Sequence, residues 1–144
     1  MLSAIFTMRK HLILFFLGAF LLTGAVEAQT LRNASNAQIG KVESDGVVRN
    51  ASNARIGKVE SDGTVRNASN ARIGKIESDG TIRNASNASI GKVESDGTVR
   101  NASNARIGKI DKEGVVRDAS NKQIGSAKGV DQKIAAVFFF FKLL

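Results

Sequence analysis

Five paired carboxylates are the first residues in this chain whose spacing could do chemistry. Glu43 and Asp45 stand two apart, and Glu60/Asp62, Glu77/Asp79, Glu94/Asp96 and Asp111/Glu113 repeat the arrangement. Two acids at i and i+2 on a strand share a face, and a shared face is what general acid–base work needs. Yet each pair sits beside an acid-Gly step, so the same residues read as turn formers on a solvated surface. Calcium is the second chemistry that such acids suggest. An EF-hand loop needs spaced acids closing on a Glu, and a β-roll needs several Asp and Gly around each ion. Ser-Asp-Gly-Thr fits neither. Arginine forms a third set, with Arg32, Arg49, Arg66, Arg83, Arg100 and Arg117 at equal spacing and Arg55, Arg72 and Arg106 in a second row. Rows of bases can grip an anionic glycan, lipid headgroups or nucleic acid. Finally, Asn33, Asn50, Asn67, Asn84 and Asn101 each open an Asn-Ala-Ser sequon, although asparagine is also a turn residue.

Composition excludes much else. The 144 residues include no Cys, Pro, Trp or Tyr, and the lone histidine is His11. Arg9, Lys10 and His11 precede an apolar run from Leu12 to Leu22, and Val26-Glu27-Ala28 ends it with small or branched residues at −3 and −1. That is the pattern of a signal peptide over 1–28, cleaved near Ala28. The apolar run is shorter than the roughly 20 residues of a membrane-spanning helix. The mature chain, Gln29 to Leu144, then has no imidazole or thiol, which removes the common triads and His- or Cys-built zinc sites. The reading is therefore a non-enzyme, with no catalytic, metal or cofactor-binding residue assigned and no cofactor implied. No ligand-binding residue is identified. The mature destination is secreted, periplasmic or cell-surface.

The elements that hold these residues come from one 17-residue motif. Arg49 to Val65 reads RNASNARIGKVESDGTV, and Arg66 to Ile82 differs from it only by Val/Ile exchanges. Copies begin near 32, 49, 66, 83, 100 and 117. Asp-Gly between β-branched residues predicts a hairpin, with both turn residues at positive φ in a type I′ geometry. The Asn-Ala-Ser-Asn segment predicts a second turn. Strands of about four to six residues remain. Gly57 and its equivalents mark either a bulge or a close backbone approach. Helix is disfavoured, since each recurrent glycine costs roughly 1 kcal/mol in a helix interior.

One such hairpin is too small to stand alone, so the units must stack or close on one another. Two architectures fit: an all-β closed five-fold ring of tandem hairpins, propeller-like, or an open β-solenoid. Near-identical units favour closure, which also protects sheet edges. The repeat domain spans 29–133. The segment 134–144, IAAVFFFFKLL, is too short to cross a bilayer as a helix. It reads as a strand or short helix that plugs the ring, supplying the aromatic volume that the repeats lack. The other reading of the Phe run is a membrane or oligomer contact.

The repeat RNASNARIGKVESDGT, followed by IGSAKGV and IAAVFFFF, resembles the five-fold beta-flower proteins, a family of small secreted bacterial proteins. The resemblance runs from about Leu31 to the C-terminus. It implies a five-fold symmetric all-β array outside the cytoplasm and carries over no catalytic residue. The expected role is that of an exported structural or interaction protein of the cell envelope. A binding module for an anionic glycan or other surface polyanion is the alternative, and a membrane-associated protein held by its Phe run is a third. Partners are otherwise unknown, an anionic polymer or envelope component being the implied kind. The net charge per unit from Arg32 onward is 0, +1, +1, 0 and +2, then +3 for the last segment. Nucleic acid is not expected, because the repeats offer no aromatic residue for base stacking.

Overall fold

The computed structural model describes residues 29–144; the proposed signal peptide at 1–28 lies outside them. Twelve strands follow in order: β1 (Thr30–Asn33), β2 (Gln38–Val42), β3 (Val47–Asn50), β4 (Arg55–Val59), β5 (Thr64–Asn67) and β6 (Arg72–Ile76). Then come β7 (Thr81–Asn84), β8 (Ser89–Val93), β9 (Thr98–Asn101), β10 (Arg106–Ile110), β11 (Val115–Asp118) and β12 (Gln123–Ser126), and a helix α1 (Gln132–Phe139). Each strand pairs antiparallel with its sequence neighbours, and β1 pairs with β12 through Arg32–Ser126 and Asn33–Gly125. The sheet is therefore a closed barrel and not an open solenoid. Closure removes both sheet edges.

The count around the axis has two readings. Five acid-Gly turns join six Asn-turn hairpins, so the barrel has six strand pairs where the turns alone number five. The sixth gap is not a turn. It is the seam between β1 and β12, filled by direct strand pairing.

Both turns share one backbone design. Glu43 N donates to Val47 O, Gly46 N donates to Glu43 O, and Gly46 has φ of 89°. Asn50 N donates to Ala54 O, Asn53 N donates to Asn50 O, and Asn53 has φ of 66°. Each is a type I turn closed by one left-handed residue, the three-residue hairpin loop. This corrects the type I′ expectation: Asp45 and its equivalents are not among the positive-φ residues, and only the glycine is. Side chains explain the preference. The Asp62 carboxylate accepts the Thr64 N–H at 2.9 Å, and the Asn50 carbonyl accepts the Ser52 and Ala54 N–H groups at 3.0 Å.

Neighbouring strands decide why one turn uses Gly and the other Asn. A Cβ on Gly63 would overlap the Ile76 carbonyl oxygen, while the Asn turns project into solvent. Replacing Asn53 with Gly is therefore expected to be nearly neutral, and Asn53→Val to cost about 1–2 kcal/mol, the left-handed penalty for a β-branched residue without asparagine's short polar side chain. Gly63→Val should cost more than either, and thermal melts of the three variants compare them.

Strand alternation sends two rings of apolar side chains inward. Leu31, Val48, Val65, Ile82, Val99 and Val116 form one, each 0% exposed. Val42, Val59, Ile76, Val93, Ile110 and Ala127 form the other. Barrels of about eight strands are narrow enough for their own side chains to fill. Twelve strands leave an axial space that Val and Ile cannot reach across.

The C-terminal segment occupies that space. Asp131 caps α1, its carboxylate accepting the Lys133 N–H at 2.8 Å. Gln132 Nε2 donates to Ile110 O and Lys133 Nζ to Ser78 O, tying the start of α1 to the turn end of the barrel. Ala135, Ala136 and Val137 are fully buried. Phe139, Phe140 and Phe141 then lie against Gly125, Gly108 and Gly91, and Leu143 and Leu144 against Gly74 and Gly57. Leu31 lies by Gly40. Six glycines, one per hairpin, thus each receive a large apolar side chain.

Gly57 resolves both ways at once. Opposite Val48 and Arg49, β4 carries one extra residue between Arg55 and Gly57, so Ile56 is a bulge. Gly57 itself points inward and is closely approached.

Candidate functional site

The chemistry-bearing side chains cluster on two surfaces: the rim of acid-Gly turns and the outer face of the barrel. At the rim the paired carboxylates separate. The Glu60 carboxylate reaches back along the outside to Arg66 Nε, 3.0 Å away. Asp62 folds into its own turn, where the Thr64 backbone N–H, then the Thr64 hydroxyl, holds its carboxyl below the ordinary value of 3.8. Asp79 and Asp96 are lowered in the same way by Thr81 and Thr98. A pair engaged in opposite directions does not converge on a substrate as acid and base. Among the described residues no three His, Cys, Asp or Glu side chains group as metal ligands. A groove of about 440 Å³ lies beside α1 at this rim, between Glu43, Asp45, Glu60 and Asp131.

The sequons behave as turns. The side chains of Asn33, Asn50, Asn84 and Asn101 each accept two backbone N–H groups, and Asp118 does the same for Ser120 and Lys122.

On the outer face four of the six main-row arginines bridge two turns. Arg49 Nε donates to Glu43 at 2.5 Å and Nη1 to the Asn53 carbonyl at 3.1 Å. Arg66, Arg83 and Arg100 repeat both bonds. Arg117 keeps only the carbonyl bond to Asn121. Asp111, which replaces Glu in that unit, turns to the Val115 N–H. These ion pairs are about one-third exposed, a setting in which such pairs add little stability.

Register brings the second row into contact with the first. Arg49 lies opposite Arg55, Arg66 opposite Arg72, and Arg100 opposite Arg106. A lysine row that the motif reading passed over completes the set: Lys41 faces Arg49, Lys58 faces Arg66, and Lys92 faces Arg100. Three cations therefore stand side by side across three strands in half of the hairpins. The lysine row was available in the sequence. With Gly57 and Val59 inward, Lys58 must be outward, and the hairpin register then sets it beside Arg66. Like charges directly opposite each other destabilise a sheet, so the fold tolerates this arrangement against its own stability.

A transmembrane barrel has the reverse pattern, apolar outside and polar inside, on strands of about 9–11 residues. These strands have four or five residues and a cationic exterior. No helix among the described residues is long and apolar enough to cross a membrane.

The family description that matches is that of the 5-fold beta-flower proteins, over residues 28–142. No curated protein and no solved structure matches the chain.

Proposed function

The chain belongs to the 5-fold beta-flower family, and from that premise we propose that it is an exported, non-catalytic interaction module that works through its outer surface. One observation carries the reading. The inside of the barrel is filled by the chain's own C-terminus, with Ala135, Ala136 and Val137 fully buried and five large side chains seated on inward glycines. Enzymes and small-molecule carriers usually hold their ligand in a concave apolar site; here that space is taken. The rim carboxylates are held by turns and arginines, which supports a role other than catalysis. The placement of the Phe run against the core argues against its use as a membrane anchor.

Export follows from the apolar segment at Leu12 to Leu22 and the small residues before Gln29. Expressed with its N-terminal segment, the protein should be recovered outside the cytoplasm with a mass beginning at Gln29. Recovery in the cytoplasm with residues 1–28 attached would overturn the reading.

A further inference from the structure

We propose that the cationic girdle of the barrel binds an extended anionic polysaccharide that wraps around it. The proposal rests on the surface-module reading above and names its ligand class. The first observation is register. Lys58, Arg66 and Arg72 are consecutive cross-strand partners on β4, β5 and β6, and Lys92, Arg100 and Arg106 are the same on β8, β9 and β10. Directly opposed side chains stand roughly 5 Å apart at Cβ, so each ladder is a short line of positive charge running around the girth. Only one carboxylate forms an ion pair in each ladder, Glu60 with Arg66 and Glu94 with Arg100, while Asp62 and Asp79 feel the charge of Arg66 and Lys92 but are held in their own turns.

The second observation is the lysines' freedom. Lys58, Lys75, Lys92 and Lys109 have no carboxylate within 4.0 Å among the described residues. Their neighbours Arg66, Arg83, Arg100 and Arg117 are oriented by bonds to Asn carbonyls, which fixes the guanidinium planes before any ligand arrives. Preorganised donors lose less freedom on binding, and guanidinium groups match carboxylate and sulfate oxygens in paired geometry.

Geometry selects the partner. Lys–Arg pairs recur every second strand from β2 to β11, roughly 10 Å apart at the usual strand spacing, three of them extended by a third cation, so the charge follows most of the girth of the closed barrel. A flat bilayer could touch only one side of such a girdle, whereas a flexible chain can follow it. Single-stranded nucleic acid is held largely by aromatic stacking. The phenylalanines after Val137 pack inward against the core, leaving the outer face without such a platform. An acidic glycan needs only charge and hydrogen bonds along its length.

The test uses the mature protein, heparin and polygalacturonate as glycan probes, and single-stranded DNA and phosphatidylglycerol vesicles as competitors. The combined K58Q/K75Q/K92Q/K109Q variant leaves every arginine bond in place. A control variant, K112Q/K122Q/K128Q/K142Q, removes the same charge outside the girdle. Wild type should bind both glycans with an affinity that falls steeply with salt, as multi-site ionic binding does. The girdle variant should lose at least ten-fold in affinity and show a shallower salt slope, while the control retains most of the binding. Thermal melts confirm that both variants fold. Equal losses in the two variants, unchanged binding by the girdle variant, or tighter binding to vesicles or DNA than to glycan would each overturn the proposal. If glycan binding fails while the protein is still exported, only this inference falls and the surface-module reading stands.

Discussion

Gly108→Ala is expected to destabilise the barrel clearly more than Gly40→Ala, although both glycines occupy the same place in the repeat. A Cβ on Gly40 would meet the Arg49 carbonyl oxygen at 2.6 Å and Leu31 Cδ1 at an ordinary 3.5 Å. A Cβ on Gly108 would meet the Arg117 carbonyl oxygen at 2.5 Å and would also overlap the Phe140 ring. The carbonyl term is common to the two variants, so their difference isolates the contact with the C-terminal segment. Adding one carbon to a packed core typically costs about 1–3 kcal/mol, and Gly108 should fall at or above the top of that range. The double variant Gly108→Ala/Phe140→Leu should recover part of the loss, because the smaller side chain can withdraw from the new methyl. Chemical denaturation of the four proteins measures this. Equal losses at Gly40 and Gly108 would mean that the cross-strand carbonyl alone dictates glycine here.

Deleting Val130 to Leu144 should abolish cooperative folding. The deletion removes three fully buried residues from the core, together with the aromatic and leucine side chains packed around them. Truncating one well-buried Phe typically costs about 3–5 kcal/mol, against a typical net stability of about 5–15 kcal/mol for a whole domain. Even with discounts for the partial exposure of Phe139 to Phe141, the sum exceeds what a domain this size holds in reserve. The truncated chain should show a broad, non-cooperative melt and bind a hydrophobic dye. A sharp melt near that of the full chain would show that the two apolar rings of the strands suffice. The milder variant Val137→Asp, which places one charge at a fully buried position, should lower the melting temperature strongly for the same reason.

Much of this architecture was legible because the sequence repeats. The period of 17, the β-branched flanks and the turn residues predicted strands and hairpins and favoured closure without reference to any long-range contact. What local chemistry could not give was the turn type. Asp45-Gly46 permits positive φ at both positions, and only the three-residue spacing between Glu43 N and Val47 O shows that Gly46 alone adopts it. The hairpin count was open to two readings for a related reason: turns count the connections, and the seam between β1 and β12 has none. The helical state of the Phe run was also undecided. Eight consecutive apolar residues carry no periodicity, and it is the Asp131 cap and the width of a twelve-stranded barrel that select α1. On the candidate surface, the arginine rows were visible as a list of positions. Their apposition was not, because it depends on the one-residue shift at Ile56 that sets Arg49 opposite Arg55. The lysines were hidden by their ordinariness, since an outward lysine on a strand usually signifies only solvation.

The seam and the filled interior together fix when this chain can finish folding. β1 has its second strand neighbour only once β12 exists, and Gly57 and Gly74 of the early hairpins are covered only by Leu144 and Leu143, far along the chain. No partial length of the nascent polypeptide holds a closed sheet with an occupied centre. Hairpins can form and dissolve as they emerge from the ribosome, but docking of the segment 134–144 waits until it too has emerged. The repeat thus builds a sheet that stays open and pliable until its last strand and the segment that fills it have both been made.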